Sequence, residues 1–191
     1  MDAAKVNEIF ERYKADFESL NARIYSCNAA EDILMLRWWI HLNESGDINR
    51  LVLPDVRRLS PFLNVFKFPT ALIYSLNANG EINNVFWASS VDSISKHKAA
   101  YCGLWCRANA RGKHHHLSFV AFVYTFAFEF YDALLGLTWQ SNLLDSHRKL
   151  GYNIVGCIPN LHDEDFIYIV HLTRENFQSS RLMKVSQKRR K

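Results

Sequence analysis

The densest group of chemically useful side chains is Arg111-Gly-Lys-His-His-His116. It stands between an apolar stretch, 99–106, and a very aromatic one, 117–131. A strand, a loop and a helix in that order gather loop N–H groups and a helix N-terminus into an anion cradle, which Arg111 and Lys113 would reinforce. Two readings of the loop stand: an altered anion site, or a loop that keeps the shape of its fold without a ligand. A metal is disfavoured. Adjacent helical residues point ~100° apart, so at most two of the three imidazoles share a face, and no Cys, Asp or Glu lies close in sequence.

Three further groups carry candidate chemistry. His147 could donate a proton near neutral pH, or it is a plain helix histidine beside Arg148 and Lys149. Asp163, Glu164 and Asp165 could hold an amine substrate, although an acidic turn in water accounts for them as well. The four cysteines, Cys27, Cys102, Cys106 and Cys157, have no Cys-x-x-Cys spacing, which reads as reduced thiols inside a cell or virion. Cys102 and Cys106 share one face of a strand, where packing explains them.

The elements that must position these residues follow from periodicity. With 191 residues and 49% hydrophobic side chains, the chain supports one well-buried α/β domain and excludes disorder over most of its length. The net charge of +4 comes mainly from the end, where Arg181, Lys184, Lys188, Arg189, Arg190 and Lys191 have no acidic neighbour. The body is therefore close to neutral, and overall charge argues neither for nor against a nucleic-acid partner. Apolar positions three and four apart predict a helix over 2–24 and another over 30–42, paired as a helical hairpin. A short strand is expected at Arg50–Pro54, then a brief helix capped by Asp55. Asn79-Gly80 marks a hairpin between strands 71–76 and 82–87. Strand 99–106, helix 113–131, strand 133–138, helix 140–150 with a stop at Gly151, and a last hairpin of 152–158 with 166–172 complete the order. The dense aromatics from Phe119 to Tyr131 predict a helix buried on most of its surface, and Glu129 and Asp132 argue against a membrane span there. Trp38 and Trp39 are adjacent and so point to different sides of their helix, which makes one of them a candidate contact for a partner protein.

This order resembles the GNAT superfamily of N-acyltransferases, on two motifs. Cys106-Arg-Ala-Asn-Ala-Arg111-Gly-Lys113 is similar to the end of that family's fourth strand and the start of its pyrophosphate loop, Arg/Gln-x-x-Gly-x-Gly/Ala. His147-Arg-Lys-Leu-Gly-Tyr152 is similar to its Tyr-x-x-x-Gly-Phe segment. The resemblance implies a mixed, mostly antiparallel sheet with a central helix after strand 4, in a GNAT-like domain over 48–177. A helical hairpin over 1–47 and a basic tail over 178–191 flank it. It also implies acetyl-CoA as donor, with backbone at Cys106 polarising the acyl carbonyl. Arg111, Gly112, Lys113, His114 and His116 would hold the coenzyme, with His147 in the place of the acid tyrosine. His114 and His116 stand where the family has small residues. The alternative is a non-catalytic GNAT-like interaction protein, similar to the internal virion proteins of short-tailed bacteriophages. In that case Trp38, Trp39 and the tail would contact a partner, nucleic acid or an acidic surface, and the chain would be virion-associated rather than cytoplasmic.

Overall fold

Apolar residues spaced three and four apart form α1 (Ala3–Ser19), after which the chain enters a three-residue edge strand, β1 (Ala22–Ile24). Next comes α2 (Ala29–Ser45), whose start is fixed from both sides. The Asn28 side chain accepts the Glu31 N–H at 3.0 Å, and the Glu31 carboxylate reaches back to the Ser26 N–H at 2.7 Å. Two short helices follow, α3 (Ile48–Leu51) and α4 (Leu59–Val65). The computed structural model describes residues 3–51, 57–65, 70–91, 98–138, 141–159 and 166–189.

The Asn79-Gly80 turn joins β2 (Thr70–Leu76) to β3 (Ile82–Val91), and Asn77 Oδ1 accepts from the N–H groups of Asn79 and Glu81. Beyond them lie β4 (Ala99–Cys106), α5 (His114–Ala127), β5 (Ala133–Thr138), α6 (Leu144–Lys149), β6 (Asn153–Pro159), β7 (Phe166–Thr173), α7 (Arg174–Ser179) and α8 (Arg181–Arg189). The seven strands run in the order β1-β2-β3-β4-β5-β7-β6. All neighbours are antiparallel except β4 and β5, which α5 connects. Their parallel register lasts only from Ala99–Tyr101 against Ala133–Leu135, so the sheet opens beyond Tyr101.

Alternating side chains build a separate core on each face of the sheet. On one face Ile73, Phe86, Ala88, Leu134, Val170 and Leu172 meet α1, α5, α7 and α8. On the other, Leu72, Tyr74, Val85 and Trp105 meet α2 and α4. The sheet lies on one side of α5 and α1 on another, with Phe17 on Phe122 at 4.8 Å and Phe10 and Tyr13 on Phe126, each at 5.4 Å between ring centres. That double burial is why α5 is aromatic on nearly every side.

Three expectations change. The helices of 1–47 do not pair as a hairpin: β1 runs between them as part of the sheet, and α1 and α2 cover opposite faces. Arg50 and Leu51 belong to α3, not to a strand, and Asp55 lies outside the described residues. The basic tail is helical as far as Arg189, because Leu182 and Met183 pack on the core of α5 and Ser180 Oγ caps α8 by accepting the Met183 N–H. Trp38 is 1% exposed, inside the core against Phe62 and Trp105, and the half-buried Trp39 donates its indole N–H to the Arg57 carbonyl. Asp163, Glu164 and Asp165 lie outside the described residues. No helix among the described residues is long and apolar enough to cross a membrane.

Candidate functional site

Where β4 and β5 part, a cavity of about 580 Å³ opens. Its floor is the end of β4, from Leu104 to Cys106, and one wall is Arg111, Gly112 and the first turns of α5. Ser146, Lys149 and Leu150 of α6, and Arg181, Leu182 and Val185 of α8, which packs against α5, complete the described lining. Asp47 and Leu51 close the end nearest α2.

Strand geometry aims the backbone of the floor. The Arg107 N–H donates to the Asn83 carbonyl at 2.9 Å, continuing the register that pairs Trp105 with Val85. In an antiparallel ladder the alternate residues turn their N–H and C=O groups the other way, so those of Leu104 and Cys106 face the opening. The Cys106 carbonyl is taken by Arg111 Nε at 3.1 Å, which leaves the Cys106 N–H directed at the gap. The Cys106 thiol itself is buried, and burial pushes its pKa up to about 12, so it is no nucleophile.

Arg111 also places Nη2 3.0 Å from Asp47 Oδ2, and the same carboxylate oxygen accepts the Trp105 indole N–H at 3.1 Å. No sequence signal picks out Asp47, which is 64 residues from its arginine and ends the run of turn-forming residues Asn43-Glu-Ser-Gly-Asp47. The loop turns its amides inward. Ala110 donates to the Arg107 carbonyl, Arg111 to Ala108 and Lys113 to Ala110. The Gly112 N–H and the first-turn N–H groups of α5, which have no helical acceptor, remain at the cradle. Gly112 holds a left-handed φ of 72° that a larger residue would resist.

The three histidines go separate ways. His114 is exposed, with Nδ1 3.2 Å from Ser118 Oγ. His116 turns under the helix and donates Nδ1–H to Asn84 Oδ1 at 2.8 Å, and Asn84 in turn donates to Ser75 Oγ at 2.9 Å. Asn84 and Ser75 are fully buried. Burial and the nearby Arg111 push the His116 pKa down to about 4, so its ring is neutral, with the Nε2 lone pair left over. A polar residue in line with Phe86 and Ala88 on the inward side of β3 was the one sequence signal for this chain of bonds. Among the described residues no three His, Cys, Asp or Glu side chains gather as a metal site.

His147 is not brought into the cavity lining. Its Nδ1–H donates to the Leu143 carbonyl at 2.8 Å, its ring stands edge-on to Tyr152, and burial lowers its pKa. Tyr152 is buried in the core, with its hydroxyl 3.2 Å from Tyr124 Oη and 3.1 Å from Cys102 Sγ. Lys113 is exposed at the N-cap of α5 and makes no side-chain cap.

A mostly antiparallel sheet that parts between strands 4 and 5, with a helix starting at the gap, defines a class of α/β fold. Solved structures give that class its name. Spermidine N-acetyltransferase from Vibrio cholerae, in complex with CoA and spermine, superposes with a TM-score of 0.62 over 83% of this chain and 99% of its own, at 10% identity. Mycobacterium smegmatis RimJ in complex with CoA-disulfide gives 0.62 over 88% and 90%, also at 10% identity. A GCN5-related N-acetyltransferase from Kribbella flavida gives 0.58 over 80% and 98%, at 12% identity. The chain has the fold of the GCN5-related N-acetyltransferases. No protein-family profile and no curated protein matches it by sequence.

Proposed function

We propose that the chain is an N-acyltransferase that takes an acyl-coenzyme A donor in the cavity between β4, α5, α6 and α8 and passes the acyl group to an amine. One observation carries this reading: the parted strands direct the Cys106 N–H into a cavity that begins at the α5 N-terminus and is flanked by Arg111, Lys149 and Arg181. The donor would bring an activated acyl carbonyl and a thiol leaving group. The chain's own part is to hold the phosphates and the apolar arm, to donate a hydrogen bond from the Cys106 N–H, and to exclude water. The lining fits that task in charge and in its apolar walls of Leu104, Leu117, Val120 and Leu182. Gly112 and the first turn of α5 would add amide donors, while Lys113 and His114 flank the entrance. Asp47 is the one carboxylate among the described lining residues, and it is already paired with Arg111 and the Trp105 indole.

Thermal unfolding with acetyl-CoA tests the reading. A ligand at ~100 times its dissociation constant stabilises by about 2.7 kcal/mol, which for a domain of this size is a rise of roughly 5–10 °C. No shift at millimolar donor would overturn it. A second reading, a non-catalytic interaction protein of the kind carried in virions, draws on the inward-turned loop amides and on exposed apolar residues. Ile33 and Ile40 stand on α2, and Tyr101, Leu137 and Ile158 on the sheet. A partner would engage these and Trp39 rather than the buried Trp38. The same titration separates the two readings.

A further inference from the structure

The two faces of the sheet are covered unevenly. On the α5 face, Leu134 of β5 and Val170 and Leu172 of β7 are buried in the core. Side chains alternate along a strand, so Leu135 and Leu137 of β5 and Ile167, Ile169 and His171 of β7 take the other face. The register adds neighbours there: Tyr101 stands beside Leu135, Ile169 beside Leu137, and Ile158 of β6 beside Ile167. On that side the core under α2 and α4 takes in Leu72, Tyr74, Val85 and Trp105, and none of these β5, β6 and β7 side chains belongs to either core. Tyr101, Leu137 and Ile158 are each close to half exposed.

We propose that this face, from Tyr101 of β4 across β5 and β7 to β6, is a homodimer interface on which a second copy of the chain seats the same face about a two-fold axis. The dimer does not depend on the acyl-coenzyme A reading. Charge names the occupant. Strands β4, β5, β6 and β7 contain no Asp, Glu, Lys or Arg, although the chain as a whole carries +4. Nucleic acid or a charged peptide would find nothing to pair with, whereas a copy meets a copy with no like charges opposed.

The size of the face suits a copy as well. At ~4.8 Å between strands and ~3.3 Å per residue, β5, β7 and β6 span roughly 14 by 23 Å, about 300 Å² in plan. Tyr101, the relief of the side chains and the exposed length of β6 raise the accessible area toward the ~800 Å² per partner of a standard interface. Two such faces pack ~10 Å apart with their aliphatic side chains interdigitated. Tyr101 and Leu135 are also the last pair before β4 and β5 part, so the partner would stand beside that opening on the side away from α5.

Sedimentation equilibrium of the full chain tests this. Wild type at ~50 μM should sediment at twice the 22.3 kDa of one chain. Leu137→Glu and Ile158→Glu replace side chains that the fold leaves half exposed, so each should keep the wild-type circular dichroism and weaken association at least about tenfold. Ile33→Glu, at an exposed apolar position on α2, should dimerise as wild type. Raising salt from about 0.05 to 0.5 M should not dissociate the wild-type dimer, because no ion pair crosses it. A dimer that survives both Glu variants on the sheet, that is lost in Ile33→Glu, or that salt dissociates would overturn the proposal. So would a wild type that stays monomeric at ~0.5 mM, including one whose open face binds neutral lipid vesicles instead.

Discussion

The two walls of the cavity differ in how their polar groups are occupied. On the loop side, Arg111, Asp47, Trp105, His116, Asn84 and Ser75 satisfy one another through bonds of 2.8–3.1 Å. Among the lining residues of α6 and α8, Lys149 and Arg181 are exposed, and neither makes an ion pair with a described residue. A wall whose groups are mutually satisfied holds the architecture, because breaking a buried bond strands its partner. A wall whose charges face water is where a ligand can gain interaction without displacing a protein contact first.

The largest effect should come from cutting the occupied wall at its buried centre. Asn84→Ala leaves the His116 Nδ1–H and Ser75 Oγ without their partner and removes packed volume, at a cost of about 3–4 kcal/mol in urea unfolding. A loss below 1 kcal/mol would mean that the chain of bonds does not support the fold.

A smaller effect should appear with pH. His116 has a folded pKa of about 4 against 6.5 unfolded, so between those values the unfolded chain binds the extra proton. Stability from this group is complete above pH 6.5 and is lost as pH falls toward 4, by on the order of 2–3 kcal/mol. His116→Gln should flatten that part of the stability profile relative to wild type, and parallel profiles would contradict the buried neutral ring.

The open wall should respond least. Lys149→Gln and Arg181→Gln should each change unliganded stability by no more than about 0.5 kcal/mol, as exposed cations without partners do. A loss of 2 kcal/mol in either would erase the contrast between the walls.

This contrast also explains what was readable beforehand. The hairpin about Asn79-Gly80, strand 99–106, the buried aromatic helix and the stop at Gly151 carry their signals within a few residues, and these elements stand where the patterns put them. The edge strand Ala22–Ile24 is too short to show alternation, so α1 and α2 read as neighbours although a sheet separates them. In the last helix, the surrounding cations hid Leu182 and Met183, and their apolar role appears once α5 is there to receive them. The loop site was legible as a position. Its wiring was not, because Asp47 and Asn84 reach Arg111 and His116 across 64 and 32 residues.

Amide hydrogen exchange with and without saturating acetyl-CoA is the most direct measurement of the central claim, that the gap between β4 and β5 is a donor site. The account predicts slowed exchange confined to residues 104–117 and to the segments around Lys149 and Arg181. Unchanged exchange in those segments, or protection only at distant ones, would contradict it.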